Sequence, residues 1–275
     1  MNTILLTFLV SAGLAFLLGI LLGFFKKIFF VPVDPTVEKI RECLPGANCG
    51  GCGYPGCDGF AAACAAGKAP ADGCAAGGPE VAKQIGAVLG VDVKAVKYSA
   101  VLACRGSKDC AQIKGFYNGV KSCAATKTMG INGTKMCNFG CIGFGDCAAV
   151  CKFGAISIGE DGLPVFNADK CTGCGACAAA CPQHLILRVP EDQKGPLALC
   201  SNRNPNKAVI LKQCKNGCIK CGKCERTCKE GAIKLVNGIP AVDYSKCNQC
   251  GDCVNGCPTH VLSMRSGQGT FASLS

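Results

Sequence analysis

Cysteine is the residue type in this chain whose number and spacing could do chemistry. The 275 residues include 27 cysteines, far more than an ordinary soluble domain carries. Their number is odd, the chain is long, and they stand in tight local runs, so a disulfide framework of an oxidising compartment is disfavoured. The distribution instead predicts thiolate ligation of metal in a reducing compartment, either as iron-sulfur clusters or as zinc.

The first run of candidate ligands follows a short helix that begins at Asp34-Pro35. Its spacing is C-x2-C-x4-C-x16-C, and its members are Cys49, Cys52, Cys57 and Cys74. Gly50, Gly51 and Gly53 let the backbone turn tightly and aim amide N–H groups at the sulfurs. We predict a 4Fe-4S cluster here. Structural zinc is the alternative, although a zinc ribbon usually pairs two short C-x2-C knuckles.

An internal repeat begins beyond residue 120 and decides how the later cysteines are interpreted. The offset is 77 residues and then 76, and both second runs, CTGCGACAAACP and CNQCGDCVNGCP, have the C-x2-C-x2-C-x3-C-P spacing of bacterial ferredoxins. In that motif the first three cysteines hold one cluster and the fourth reaches the other. For the second unit this predicts two clusters, with the ligands Cys218, Cys221, Cys224 and Cys257, and Cys247, Cys250, Cys253 and Cys228.

The first unit departs from the pattern at one position. GCIGFGDC aligns without gaps on GCIKCGKC and puts Phe144 where Cys221 stands. Cys137, four residues ahead of Cys141, is the nearest candidate replacement. We therefore predict two clusters with the ligands Cys137, Cys141, Cys147 and Cys181, and Cys171, Cys174, Cys177 and Cys151. The alternative for the first of these is a three-cysteine site with an open or non-protein fourth position.

Seven further cysteines have no predicted ligand role. Cys43 and Cys64 lie at helical positions around the first run and are expected to be buried packing thiols. The others lie between the predicted clusters and are Cys104, Cys110, Cys123, Cys200 and Cys214. Packing is their expected role as well, and a sixth metal site is the alternative. His184 and His260 follow the last cysteine of each ferredoxin run by three residues and are expected on the surface.

An apolar stretch precedes all of these runs. Thr3 to Phe25 is 23 residues without a charge, enough for a helix to cross a hydrocarbon core of about 30 Å. Lys26-Lys27 follows it and no basic side chain precedes it. This arrangement is not that of a signal peptide, and it predicts a single-pass anchor with the C-terminal body on the cytoplasmic side.

The predicted fold class is α+β, built from small iron-sulfur domains. It comprises an N-terminal transmembrane helix, a mostly helical 4Fe-4S domain and two tandem bacterial-ferredoxin-like units with two 4Fe-4S clusters each. The predicted boundaries are 1–27 for the anchor, 28–92 for the first cluster domain, 93–136 for a connecting segment, 137–192 for the first unit and 193–275 for the second. Only 6% of the residues are aromatic and Trp is absent, so we expect about five clusters to provide much of the cross-linking that a large core would give.

The formal net charge of +11 does not predict nucleic-acid binding. Each oxidised 4Fe-4S core with its four thiolates adds about −2, so about five clusters would cancel nearly all of the excess. No base-reading motif accompanies the charge. The second unit is nevertheless basic, with four acidic residues from Cys200 onward against Arg203, Lys207, Lys212, Lys215, Lys220, Lys223, Arg226, Lys229, Lys234, Lys246 and Arg265. We expect this end to dock an acidic soluble ferredoxin by electrostatic steering, the alternative being a merely solvated face.

No catalytic acid, base or nucleophile stands out, and no Gly-rich dinucleotide fingerprint is present. The chemistry predicted for the chain itself is therefore one-electron transfer, with no catalytic residue of its own. An anchored polyferredoxin that supplies electrons to nitrogenase or to a redox sensor would share these features. A structural zinc module remains the alternative from a different class.

The order of a transmembrane helix, C-x2-C-x4-C-x16-C and ferredoxin runs that include GCIGFGDC resembles the B subunit of the Rnf complex, the membrane-bound ferredoxin:NAD oxidoreductase. The resemblance covers nearly the whole chain, although many relatives have a single ferredoxin unit. It implies a protein anchored in the bacterial inner membrane that takes electrons from reduced ferredoxin. It also implies other subunits as partners, which hold flavins and bind NAD, in a complex that moves sodium ions or protons.

Overall fold

The computed structural model describes residues 2–28 and 34–265. The chain begins with helix α1 (Asn2–Ile28). Within it, Leu5–Phe25 is long and apolar enough to cross a membrane, and none of its residues is buried. Phe16, for example, is 72% exposed. A helix of this length and composition so exposed is suited to a lipid environment.

The domain after the anchor is helical, as predicted. Its helices are α2 (Pro35–Cys43), α3 (Gly56–Ala65) and α4 (Gly78–Leu89). Asp34 caps α2 by accepting a hydrogen bond of 2.8 Å from the amide of Thr36, which satisfies one of the free N–H groups at the helix start. Ile40, Phe60 and Ile85, one from each helix, are fully buried in a common core. This small core holds the loops that carry the first cysteine run.

The remaining described residues form two similar α+β units. Their elements are β1 (Tyr98–Leu102), α5 (Cys123–Thr128), α6 (Asp146–Ala149), β2 (Ile156–Ile158), β3 (Pro164–Phe166), α7 (Ala176–Ala180), β4 (Ile186–Pro190), β5 (Gly195–Ala198), α8 (Lys207–Gln213), α9 (Lys223–Thr227), β6 (Ile233–Val236), β7 (Ile239–Val242), α10 (Asp252–Asn255) and β8 (Leu262–Arg265). In each unit a short helix lies within each ferredoxin run, and an antiparallel hairpin, β2–β3 or β6–β7, joins the two runs.

A second antiparallel pair closes each unit. β1 pairs with β4, and β5 pairs with β8, so in both units a strand ahead of the cysteine runs pairs with the strand behind them. The segment 93–136, which the sequence predicted to be a connection, thus contributes β1 and α5 to the first unit. The strands β1 and β4 lie far apart in the sequence, and neither has a clear alternation of apolar and polar residues. The sequence pattern therefore did not indicate that they pair.

The two units share an interface. Val101 and Val189 of the first unit pack with Leu197 and Leu199 in one buried cluster. Arg265 is 3% exposed, and its guanidinium donates to the side chain of Ser99 and to a backbone carbonyl across this interface. Arg265 therefore joins the two units and is not part of the basic surface to which the sequence analysis assigned it.

Candidate metal centres

Four cavities in the described chain are each lined by four cysteines. Quartet 1 is Cys49, Cys52, Cys57 and Cys74; quartet 3 is Cys123, Cys141, Cys147 and Cys181; quartet 4 is Cys104, Cys137, Cys200 and Cys214; quartet 5 is Cys218, Cys221, Cys224 and Cys257. The cavities have similar volumes, about 350, 390, 380 and 340 Å³ in that order. The cavities of quartets 1 and 5 are lined by the same cysteines that the spacing groups together.

Quartet 1 lies in the loops between α2, α3 and α4. Asn48 stands ahead of its first cysteine with φ of 46°, and its side-chain oxygen accepts a hydrogen bond of 2.8 Å from the amide of Cys57. This bond fixes the loop against the start of α3. Burial raises the pKa of Cys74, and the neighbouring thiols of Cys52, Cys57 and Cys49 add to the rise. A bound metal must therefore displace a proton that the thiol of Cys74 holds more firmly than usual.

Quartet 3 differs from the sequence-based assignment at one position. The structure places Cys123, and not Cys137, beside Cys141, Cys147 and Cys181. Burial raises the pKa of Cys147 to about 11, with the thiols of Cys123 and Cys181 among the further causes. Cys137 lines the cavity of quartet 4 instead. The structure thus groups Cys123 with the three cysteines to which the spacing assigned Cys137, and we propose Cys123 as the fourth ligand of this cluster.

Asp146 explains how Cys123 reaches this cavity. Its carboxylate accepts hydrogen bonds from the amide of Cys123 at 2.8 Å, the amide of Ala124 at 2.9 Å and the hydroxyl of Ser122 at 3.0 Å. An anion at a helix start satisfies free N–H groups and complements the helix dipole. The start of α5 is thereby held against the start of α6, where the neighbouring residue is Cys147.

Phe144, in the position of the missing ligand, has a different role. Its ring packs on Tyr117 with the centroids 5.6 Å apart. Burial raises the pKa of Cys123, and the backbone amides of Phe144 and Gly145 are among the groups that oppose the rise. The backbone of the aligned loop thus supports the sulfur that substitutes for the absent side chain.

Quartet 2 is Cys151, Cys171, Cys174 and Cys177. Burial raises the pKa of Cys177 to about 12, with the thiols of Cys171 and Cys174 as the next causes. Cys151 accepts a hydrogen bond of 3.3 Å from the amide of Ala155. Its repeat equivalent Cys228 makes the same bond at the same distance, and on this equivalence we assign Cys151 to quartet 2.

Quartet 6 is Cys228, Cys247, Cys250 and Cys253. Burial raises the pKa of Cys253 to about 11, and the thiols of Cys228, Cys247 and Cys250 add to the rise. Cys250 is exposed, and it is the one exposed member among the 27 cysteines, all of which lie in the described residues. This quartet is therefore the one most open to a partner from solution.

Several of the cysteine sulfurs accept hydrogen bonds from backbone N–H groups. Cys181 and Cys257, the last cysteines of the two ferredoxin runs, accept amide hydrogen bonds of 3.5 and 3.4 Å from the residue four positions on. The turns that follow them pass through His184 and His260, which are exposed and have positive φ. N–H···S bonds of this kind stabilise and tune iron-sulfur clusters, so the residues present fit that cofactor.

The spread of the sulfurs separates clusters from single ions. In residues 34–265, no three His, Cys, Asp or Glu side chains converge closely enough to hold one metal ion. A zinc ion, with zinc–sulfur bonds of about 2.3 Å, draws four thiolates together around one point, whereas a four-iron cube holds them further apart. Quartets 1, 3, 4 and 5 line cavities, as the second arrangement requires.

Two cysteines lie outside all six quartets in the first cluster domain. Cys43 hydrogen-bonds the carbonyl of Lys39 at 3.2 Å within its own helix. Cys64 is 2% exposed, and burial raises its pKa to about 11. Both side chains pack in the domain core.

Two family profiles match segments of the chain that contain these cysteines. A family profile described as "Putative Fe-S cluster" matches residues 44–76, which contain quartet 1. A profile described as "4Fe-4S dicluster domain" matches residues 136–185 and 217–261, which contain both cysteine runs of each ferredoxin-like unit. The cofactors of the chain are therefore iron-sulfur clusters.

Similar proteins extend over almost the whole chain. The B subunit of the Na(+)-translocating ferredoxin:NAD(+) oxidoreductase complex of Acetobacterium woodii is 40% identical, over 96% of this chain and 78% of its own. The B subunit of the ion-translocating oxidoreductase complex of Methanosarcina acetivorans is also 40% identical, over 93% of this chain and 96% of its own. The B subunit of the proton-translocating ferredoxin:NAD(+) oxidoreductase complex of Clostridium ljungdahlii is 35% identical, over 95% and 93%. The chain therefore belongs to the family of B subunits of the ion-translocating oxidoreductase, or Rnf, complexes.

Proposed function

We propose that this chain relays single electrons through a series of 4Fe-4S clusters, from reduced ferredoxin towards the flavin- and NAD-binding partners of an ion-translocating ferredoxin:NAD oxidoreductase. The observation that carries the proposal is the contact between successive quartets. Electron transfer between clusters needs close approach, and this chain offers it at each of the steps described below.

The first step joins the membrane-proximal quartet 1 to quartet 2. A Cβ atom added at Gly51 would lie 2.8 Å from the carbonyl oxygen of Cys174. The ammonium of Lys152 donates to the carbonyls of Ala47 at 3.3 Å and Asn48 at 3.0 Å, from the first unit to the loop of quartet 1. The helical domain is thus docked with its cysteine loop against a cysteine of the first unit.

Within each unit the two quartets are neighbours. The thiol of Cys147 in quartet 3 contributes to the raised pKa of Cys177 in quartet 2. Both side chains pack in one cluster in the first unit. In the second unit Cys224 of quartet 5 and Cys253 of quartet 6 are buried in a common core. This is the arrangement in which the fourth cysteine of one run reaches the cluster of the other.

The exposed Cys250 supports the C-terminal unit as the place where electrons enter. In the same unit, nine of the eleven basic residues counted from Cys200 onward are exposed, against four exposed acidic residues. The nine are Arg203, Lys207, Lys212, Lys215, Lys223, Arg226, Lys229, Lys234 and Lys246. A basic surface beside an exposed cluster ligand suits an acidic soluble ferredoxin as the donor, because complementary charge accelerates encounter.

The apolar helix α1 supports the placement of the chain at a membrane. We propose a single-pass anchor with the body on the cytoplasmic side, where Lys26-Lys27 follows the apolar stretch. The other subunits of the complex would then receive electrons at the membrane-proximal end. Sodium ions and protons are both named as the transported ion among the relatives.

Rapid mixing of the anaerobically purified full chain with reduced ferredoxin tests the proposal. The expected result is bleaching of the visible iron-sulfur absorption at a rate that falls as salt is added, because exposed charges are screened. A colourless protein without iron, or a brown one that reduced ferredoxin does not bleach, would contradict it.

A further inference from the structure

We propose that quartet 4, formed by Cys104, Cys137, Cys200 and Cys214, holds a sixth 4Fe-4S cluster that connects the two ferredoxin-like units. The inference extends the proposed function, because it supplies the step between quartet 3 and quartet 5. Three of its cysteines, Cys104, Cys200 and Cys214, lie outside the residues that the iron-sulfur profiles match.

The quartet is assembled from two equivalent pairs. Cys104 follows β1 by two residues and Cys200 follows β5 by two residues, and both strands pair with the last strand of their own unit. Cys137 and Cys214 each stand four residues ahead of the first cysteine of their run. Each unit thus gives one cysteine of each kind to a cavity between the units. Its volume of about 380 Å³ lies within the range of the cavities of quartets 1, 3 and 5.

The sulfurs of this cavity have the same kind of donors as those of the other quartets. Cys104 accepts amide hydrogen bonds from Gly106 and Cys141, both at 3.4 Å. Cys200 accepts amide hydrogen bonds from Asn202 at 3.5 Å and Cys218 at 3.4 Å. Two amide donors on one sulfur suit a thiolate ligand of a cluster better than a packing thiol, which is a weak acceptor.

Two buried polar side chains also face the quartet. Asn202 is 2% exposed, and its side-chain amide donates to the sulfur of Cys137 at 3.5 Å. Lys135 is 5% exposed, lines the cavity and donates to the carbonyl of Gly106 at 2.6 Å. The ion pairs found among the described residues do not include Lys135. A buried ammonium without a carboxylate is costly, and a cluster with a charge of about −2 would provide the missing counter-charge.

The position of the quartet is that of a bridge. Cys104 accepts a hydrogen bond from the amide of Cys141, a member of quartet 3. Cys200 accepts one from the amide of Cys218, a member of quartet 5. A cluster here would gain one electron from the reduced cluster of quartet 5, which is oxidised by one electron, and pass it to quartet 3. As it assembles from iron and sulfide, each thiol loses its proton to solvent when its iron–sulfur bond forms.

Cys110 is a neighbour of the quartet and not a member. Its sulfur hydrogen-bonds the carbonyl of Arg105 at 3.0 Å and the hydroxyl of Ser107 at 3.2 Å, and the cavity lining does not include it. Its S–H group thus already has hydrogen-bond partners within its own loop, and its side chain packs beside Cys214. The variant Cys110→Ser is therefore a matched control for the ligand variants.

Iron counting on anaerobically produced full chains tests the inference. The wild-type chain is expected to hold about 24 iron atoms, and Cys123→Ser and Cys137→Ser about 20 each. The double variant is expected to hold about 16, because the two cysteines serve different clusters. Cys110→Ser should retain the wild-type content.

Each outcome either supports a sixth cluster or contradicts it. A double variant that loses no more iron than either single variant would mean that Cys123 and Cys137 share a cluster and would overturn the inference. Loss of about four iron atoms in Cys110→Ser would overturn the ligand set. If the ligand variants fail to fold, the wild-type content decides, because about 20 iron atoms contradict a sixth cluster. A chain with about 20 iron atoms that ferredoxin still bleaches leaves the proposed function intact, whereas an iron-free chain overturns both.

Discussion

The carboxylate of Asp146 accepts a hydrogen bond of 2.8 Å from the backbone amide of Cys123, 23 residues earlier in the chain. Partial burial opposes ionisation of Asp146, but the hydrogen bonds from Ala124, Cys123 and Ser122 outweigh it, so the pKa of the carboxyl lies below its usual value. The charged carboxylate is thus the stable form at neutral pH. Asp146 thus holds Cys123, which belongs to a different helix, beside the cavity of quartet 3. Without Cys123 this quartet would have only three cysteines.

Asp146→Ala should therefore weaken quartet 3 selectively. Loss of the hydrogen bonds to a charged acceptor is expected to cost roughly 1–3 kcal/mol, and Cys123 should leave the cavity more often. The measurement is the rate at which a chelator removes iron from the anaerobic protein, with about four iron atoms leaving faster than the rest. Asp92→Ala, at an exposed position in a loop, is the control and should match the wild type. Equal rates for both variants would contradict the role of Asp146.

Phe144 offers a rescue experiment for the ligand role of Cys123. Cys123→Ser should lose about four iron atoms. Adding Phe144→Cys should restore them, because position 144 aligns with Cys221, a member of quartet 5. Iron and sulfide analysis of the two variants makes the comparison. Restoration by Phe144→Cys in a Cys137→Ser background would contradict the separation of quartets 3 and 4.

Gly51→Ala should slow electron transfer between quartets 1 and 2. The new methyl group would lie 2.8 Å from the carbonyl of Cys174, closer than van der Waals contact allows, so the helical domain must shift. The quartet 1 cluster should keep its iron but become reduced more slowly than the others, as followed by freeze-quench paramagnetic resonance. Gly115→Ala is the control, since nothing lies within 4 Å of its added Cβ. An unchanged rate in Gly51→Ala would argue against transfer across this contact.

Charge reversal on the second unit should slow the reaction with ferredoxin. Lys229 and Lys246 are exposed next to the cysteines of quartet 6, and the double variant Lys229→Glu, Lys246→Glu should lower the second-order rate constant by roughly tenfold at low salt. The difference should shrink at high ionic strength. Lys83→Glu on α4 also reverses a positive charge, but in a different domain, and should have little effect. If all three proteins react alike at low salt, the docking surface lies elsewhere.

The local motifs could be predicted from the sequence because their ligands are close in the chain. Quartets 1, 5 and 6 follow from spacings of two to sixteen residues and from the crossing of the fourth cysteine, which is a property of the motif. The helical first domain and the two hairpins also follow from local signals. The pairing of β1 with β4 joins residues more than eighty positions apart, such as Leu102 and Ile186, and no local pattern indicates it.

Quartets 3 and 4 could not be derived from spacing, because long-range contacts assemble them. Cys123 has its counterpart Cys200 by offset, yet the two lie in different cavities. The only local hint is Asp146, which stands where the second unit has Lys223 and which can hold a helix start beside Cys147. For quartet 4, the hint was the similarity of AVLAC at Cys104 to LALC at Cys200, which becomes meaningful only when β1 and β5 occupy equivalent places.

The most direct test of the relay counts the electrons that the anaerobic wild-type chain accepts from excess reduced ferredoxin, alongside its iron. A continuous relay of six clusters would hold about 24 iron atoms and accept about one electron for each cluster, since every quartet contacts the next. Uptake of only about two electrons, confined to the exposed C-terminal pair, would show that the clusters do not form one continuous path.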